Sequence, residues 1–207
     1  VFQKTPHLLM CIKRVTGDVL VDDRLFEKAE GTGSGPGRLT PIMVNDNLID
    51  FSILPNSVGT AATVKTRPET ATFRIDAFVD TVAEEQETHV QVLTAGPGRI
   101  LVRGQITVGH KPLVRVYEVE DASSFARGLL VESLRRAGVA VEASPLVSNQ
   151  MGKFPPREPP ALPRVAMLTS PPFAESARLI LKVSHNLHAS TLPLIVATKN
   201  GKRTLAE

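Results

Sequence analysis

The chain has 207 residues, with 24 Lys and Arg against 21 Asp and Glu, a formal net charge of +3 and 42% hydrophobic residues. That length supports one or two domains with a real core, and no apolar run approaches the ~20 residues a membrane-spanning helix requires. The basic residues are scattered among acids without a basic stripe or a recognisable module, which argues against nucleic acid as a partner and leaves only weak attraction to an anionic cell wall.

The chain opens on Val1, and no basic, apolar, small-residue leader follows, so a secretory signal is not expected within it. The single Cys11 closes the stretch Leu8-Leu9-Met10-Cys11 and reads as a small buried hydrophobe; it has no partner for an internal disulfide. Val15 to Phe26 follows a Gly-Asp turn signal with alternation around Val19 and Val21, which predicts a strand. Gly31, Gly33, Gly35 and Gly37 fall at alternate positions with Pro36 among them. The Gly-Lys-Ser/Thr ending of a phosphate-binding loop is missing there, so a linker is expected.

Pro41 to Val44, an Asn45-Asp46-Asn47 turn, and Leu48 to Leu54 with Ile49, Phe51 and Ile53 alternating together predict a hairpin. Short β-like stretches follow at Ala71–Ile75, His89–Leu93, Ile100–Arg103 and Leu113–Tyr117, punctuated by Pro68, Gly96-Pro97-Gly98 and Lys111-Pro112. Helical spacing first appears from Ala122 to Ala137, where Phe125, Leu129, Leu130 and Leu134 share a face and Gly138 supplies a stop. Val139 to Val141 returns to strand. Five prolines between Met151 and Pro163 predict an extended connector. Beyond it, Val165 to Leu168 reads as a strand, and Ser170-Pro171 as the cap and first residue of a helix reaching Val183.

Four stretches resemble the D-alanyl-D-alanine carboxypeptidases with inserted domains, the class C low-molecular-mass penicillin-binding proteins. They are Val15 to Phe26, Pro41 to Asp50, Arg115 to Val141, and Ser170 to Ala189 (SPPFAESARLILKVSHNLHA), about a third of the chain, with the last the most specific. The resemblance implies an acyl-enzyme chemistry built from three elements. A Ser-x-x-Lys helix supplies the nucleophile and its activating lysine, a Ser-x-Asn loop moves protons and positions substrate, and a Lys-Thr-Gly strand holds the substrate carboxylate.

Of these elements the chain holds one, Ser184-His185-Asn186. At i and i+2 of a non-helical turn, both outer side chains can point into one cleft. The Ser184 hydroxyl can donate and accept at once, as a proton relay between lysine, nucleophile and leaving amine requires. The Asn186 amide can hold a peptide group of the substrate from both sides, while His185 is expected to face away. A cap joining two helices uses the same residue types; the flanking Leu179–Lys182 and Asn186–Ala189 favour the motif.

No serine is followed by Lys at the third position and no Lys-Thr-Gly occurs; Lys199-Asn200-Gly201 reads as a helix end with a glycine stop. Both missing motifs are expected beyond the ends of the chain, which alone should be inactive. Pro193 should kink the following helix or delay its start. His185 and His188 are three apart, but no acid lies within the next turn, so no metal site and no cofactor are expected. The pairs Asp22-Asp23 and Glu84-Glu85 read as solvated turn residues, and Arg135-Arg136 as the wet side of a helix.

The expected architecture is α+β. Residues 1–54 and 106–162 form an insertion domain, 55–105 a smaller β-rich nested domain, and 163–207 the start of a transpeptidase/β-lactamase-like catalytic domain. The resemblance implies a serine-type D-Ala-D-Ala carboxypeptidase, with endopeptidase action on cross-links a further option, outside the cytoplasm. Its partners would be the peptidoglycan stem peptide, and β-lactam antibiotics as inhibitors. The contrasting expectation is a non-catalytic wall-binding or structural module in which Ser184 and Asn186 merely cap a helix.

Overall fold

The structure, a computed structural model, describes residues 12–31, 37–156, 163, 165–204 and 206. Cys11, most of the glycine-rich loop and much of the proline-rich connector lie outside the described residues. The fold is α+β, and the described residues form ten strands in chain order: β1 (Arg14–Val15), β2 (Ala29–Glu30), β3 (Arg38–Leu39), β4 (Leu48–Leu54), β5 (Thr63–Arg67), β6 (Arg74–Val82), β7 (His89–Gly96), β8 (Arg99–Thr107), β9 (Leu113–Glu118) and β10 (Ala140–Val141). Helix α1 (Ala122–Arg136) precedes β10, and α2 (Phe173–Val183) and α3 (Asn186–Lys199) follow it.

Two three-stranded sheets face one core. In the first, β4 lies between antiparallel partners β5 and β9; in the second, β8 lies between parallel β6 and antiparallel β7. The period-2 pattern of β4 sends Ile49, Phe51 and Ile53 inward, all at 0% exposure. They pack with Val79, Val90, Ile100 and Val102 from the second sheet and with Phe125 and Leu129 of α1. Complete burial of each such side chain is worth about 1.5–3 kcal/mol. The core of residues 55–105 is therefore shared with the strands on either side of that stretch. Arg115 ties the sheets further, its Nε donating to the Val90 carbonyl at 3.1 Å.

Gly104 is the tight point of the second sheet. Its φ is +134°, and a Cβ there would stand 2.1 Å from the His89 carbonyl oxygen on the neighbouring strand. Gly104→Ala is expected to cost about 1–3 kcal/mol through strain and forced strand separation, read as a lower urea midpoint.

Helix α1 ends where the spacing predicts. Asp121 caps its first turn by accepting from the Ser124 N–H at 3.0 Å, and Gly138 follows with φ +85°. Leu130 departs from the expected apolar face and is 44% exposed.

Three predicted strand elements do not form as strands. Val15 to Phe26 is not a continuous strand; only Arg14–Val15 pairs, with β10. Asn149 takes the place of a neighbouring strand, accepting from the Val21 N–H at 3.0 Å and donating to the Val21 carbonyl at 2.8 Å. Pro41 to Asn47 makes no hairpin either. The buried Asn47 side chain accepts from the Val44 N–H and donates to Thr40 Oγ1 at 3.0 Å and to the Ile42 carbonyl, absorbing the groups a hairpin ladder would use. Val165 to Leu168 finds no strand partner among the described residues and is exposed.

Asp23 is buried rather than solvated, with its carboxylate accepting from Ser123 Oγ. Nearby, Asp18 meets the buried Arg127 guanidinium at 2.5 Å. Arg127, opposed by burial and helped by Lys153 and the Val19 N–H, pulls the Asp18 carboxyl down from 3.8 to about 2. A carboxyl whose value is depressed on folding stabilises the fold fully above the unfolded value and loses that contribution as pH falls through the folded one. Acid unfolding should thus show a component between about pH 4 and pH 2, and Asp18→Asn should remove it.

Candidate active site

The site grows from the junction of α2 and α3. Helix α2 starts at Phe173, two residues later than Pro171, with Pro172 in the capping position. At its other end, Ser184 adopts φ 53°, ψ 51°, and the N–H groups of Ser184 and His185 both converge on the Ile180 carbonyl. A left-handed conformation is normally left to glycine at a helix end and costs a residue with a Cβ roughly 1–2 kcal/mol.

Helix α3 begins at Asn186 and runs through Pro193 to Lys199, so the proline does not delay its start. Its inner face buries Leu187 and Leu194 against Phe26 and Leu39, which seats the helix on the region of β2 and β3. Thr191 lies on the same face and donates its Oγ1 to the Leu187 carbonyl at 2.7 Å. Lys199, the Asn200 cap and Gly201 at φ +74° close the helix.

Ser184 and Asn186 are exposed, and both line an open cleft of about 540 Å³ together with Asp46, Leu48, Val116 and Glu118. A hydroxyl, an amide and two carboxylates thus border one open space. Such a rim can exchange protons and hold an amide group.

His185 does not face away. It caps α3 by accepting from the His188 N–H at 3.4 Å, stacks on the His188 ring at 4.0 Å, and brings Nε2 to 3.3 Å from Asp46 Oδ2. Burial first, and then the neighbouring His185, hold the His188 imidazole below its ordinary value, with Asp46 opposing. The acid missing from the helical turn is therefore supplied from far away in the chain. Asp46 sits in the turn before β4, where Asn45, Asp46 and Asn47 all have positive φ between 50° and 57°. Asn and Asp tolerate that region better than other side-chain-bearing residues. No spacing rule within one helix could have found Asp46; the run Asn45-Asp46-Asn47 was the available signal of an unusual backbone.

With this geometry in hand, a family model for the D-Ala-D-Ala carboxypeptidase 3 (S13) family matches residues 10–206. The chain belongs to that family. Its fold resembles the crystal structure of penicillin binding protein 4 (dacB) from Haemophilus influenzae complexed with a novel beta-lactam, with a TM-score of 0.61 and 18% identity over 93% of this chain. A second crystal structure of the same protein aligns over 67% of this chain and 34% of its own, with a TM-score of 0.48 and 18% identity. The chain spans 41% of the first of these structures, so the fold of the family's larger molecule extends well past what these residues supply. No described helix is long and apolar enough to cross a membrane.

Proposed function

We propose that this chain is the inserted region and the Ser-x-Asn-bearing part of a serine-type D-Ala-D-Ala carboxypeptidase that acts on the peptidoglycan stem peptide outside the cytoplasm. The observation that carries the reading is the placement of Ser184 and Asn186, both exposed, on the rim of one cleft, with Ser184 in a strained left-handed conformation. Ser184 relays a proton between the activating lysine, the nucleophile and the leaving D-Ala amine, and Asn186 holds the substrate peptide group. The nucleophile and the carboxylate-binding strand come from sequence that these 207 residues do not contain, since they hold neither Ser-x-x-Lys nor Lys-Thr-Gly. Alone they are inactive.

Residues 163–207 are read as the beginning of the catalytic domain, and 1–54 with 106–162 as the insertion around the nested 55–105. Support comes from the exposed apolar residues of α2 and α3. Phe173, Leu179, Leu181 and Val183 of α2 and Val196 of α3 are 54–82% exposed there, apolar surface of the kind the remainder of a catalytic domain would cover. β-Lactams mimic the acyl donor and are expected inhibitors, and cross-link cleavage would use the same acyl-enzyme.

The test is covalent labelling of the natural-length protein by a fluorescent penicillin, with D-Ala release measured in parallel. Labelling together with release supports the reading. A wall-binding module would retain peptidoglycan but take no label, and that result would overturn it.

A further inference from the structure

We infer that Asp46, His185 and His188 form a binding site for a divalent transition-metal ion of the Zn²⁺ type beside the Ser184–Asn186 cleft. One ligand atom from each residue lies within 4.8 Å of the other two. A tetrahedral ion with bonds of about 2.0–2.1 Å needs donors about 3.4 Å apart, so side-chain rotation has to close the set. His185 Nε2 and Asp46 Oδ2, at 3.3 Å, already stand at that spacing.

One further feature favours an ion over a plain histidine–carboxylate contact. The donors come from two separately braced elements. His185 and His188 sit at the start of α3, whose seat is the buried Leu187 between them, and Asp46 sits in a turn locked by the buried Asn47 network. The imidazole rings are stacked, 25° from parallel with centroids 4.0 Å apart, so one ring has to swing out of the stack for both nitrogens to reach one ion. Two imidazoles and one carboxylate suit Zn²⁺, Ni²⁺ or Cu²⁺ and discriminate against Mg²⁺, which prefers oxygen ligands.

When the ion enters, it takes the place of the proton between His185 Nε2 and Asp46. The ring proton then resides on Nδ1, which gives up its long 3.4 Å contact with the His188 N–H. A fourth position is left for water or for a group in the cleft. The ion would fasten the first turn of α3 to the turn before β4, and so fix the junction that carries Ser184 and Asn186. The site goes beyond the proposed peptidase reading and does not depend on it, because its readout is metal affinity.

The test is a calorimetric titration of the protein with Zn²⁺ near neutral pH, repeated with Co²⁺ and followed by visible absorption. One ion per chain and a tetrahedral Co²⁺ spectrum are expected. His185→Gln, His188→Gln and Asp46→Asn should each weaken Zn²⁺ binding at least about 10-fold, and His89→Gln on exposed β7 should leave it unchanged. A 100-fold excess of Mg²⁺ should not compete. Circular dichroism and thermal unfolding check that each variant is folded; loss of affinity in a folded variant supports the site. Absence of stoichiometric binding to the wild type, or affinity unmoved by all three substitutions in folded protein, would overturn it.

Discussion

Arg127→Met is expected to lower the unfolding free energy by about 3–5 kcal/mol, read as a fall in the urea midpoint at unchanged slope. Arg127 is 1% exposed and lies on α1, where spacing alone would leave a charged residue outside. Its guanidinium donates to the carbonyls of Val19 at 2.6 Å, Ser144 at 2.7 Å and Val147 at 2.8 Å, and to Asp18 at 2.5 Å. It therefore pins the irregular segment after β1 and the segment after β10 to the helix. Methionine fills the stem volume but leaves three carbonyls and a carboxylate without that donor. Each buried group left short of a partner costs about 1–3 kcal/mol, more when charged. Arg127→Lys should recover part of the loss through one retained contact to Asp18. A loss below about 1 kcal/mol for the methionine variant would show that water replaces the guanidinium and that the residue is dispensable.

The second large effect concerns the cleft. In the natural-length protein, Asn186→Ala should slow acylation by a penicillin about 100- to 1000-fold, the range seen when one donor to a reacting acyl group is removed. Ser184→Gly separates function from architecture more sharply. Glycine is the preferred residue at φ 53°, so the variant should unfold at the same midpoint or up to about 1 kcal/mol later, while acylation falls by a similar large factor. If Ser184 merely caps a helix end, the glycine variant would keep its acylation rate. Asn186 begins α3, and its removal should leave α3 seated, because the buried contacts of that helix come from Leu187 and Leu194.

How much of this was legible in the sequence follows from which groups satisfy the backbone. Where neighbouring strands do so, alternation suffices, and Ile49, Phe51 and Ile53 mark β4 and its inward face correctly. Helix α1 is legible for a similar reason, since its hydrogen bonds are internal and Gly138 stops it. Alternation fails at Val19 and Val21, whose polar groups go to Arg127 and Asn149, residues more than a hundred positions away. It fails again before β4, where Asn47 folds its own side chain into the turn. Side-chain ladders of this kind leave no periodic trace.

The candidate site divides the same way. Ser184 and Asn186 are local in sequence and could be singled out together, whereas Asp46 reaches His185 only through the fold. The resemblance supplied the roles of Ser184 and Asn186, and the left-handed Ser184 and the cleft are what the structure adds to them. Asp23 and Arg127 were invisible for the opposite reason. Charged residues default to solvent, and only their partners, Ser123 and Lys28 for Asp23 and Asp18 with three carbonyls for Arg127, explain why these two are inside.

The central claim, that the hydroxyl of Ser184 and the amide of Asn186 serve a serine acyl transfer, is tested most directly by a crystal structure of the natural-length protein acylated by a β-lactam. The account predicts Ser184 Oγ and Asn186 Nδ2 within about 2.7–3.2 Å of polar atoms of the bound acyl group. An acyl group whose polar atoms all lie beyond the roughly 3.5 Å reach of a direct hydrogen bond from both side chains would contradict it.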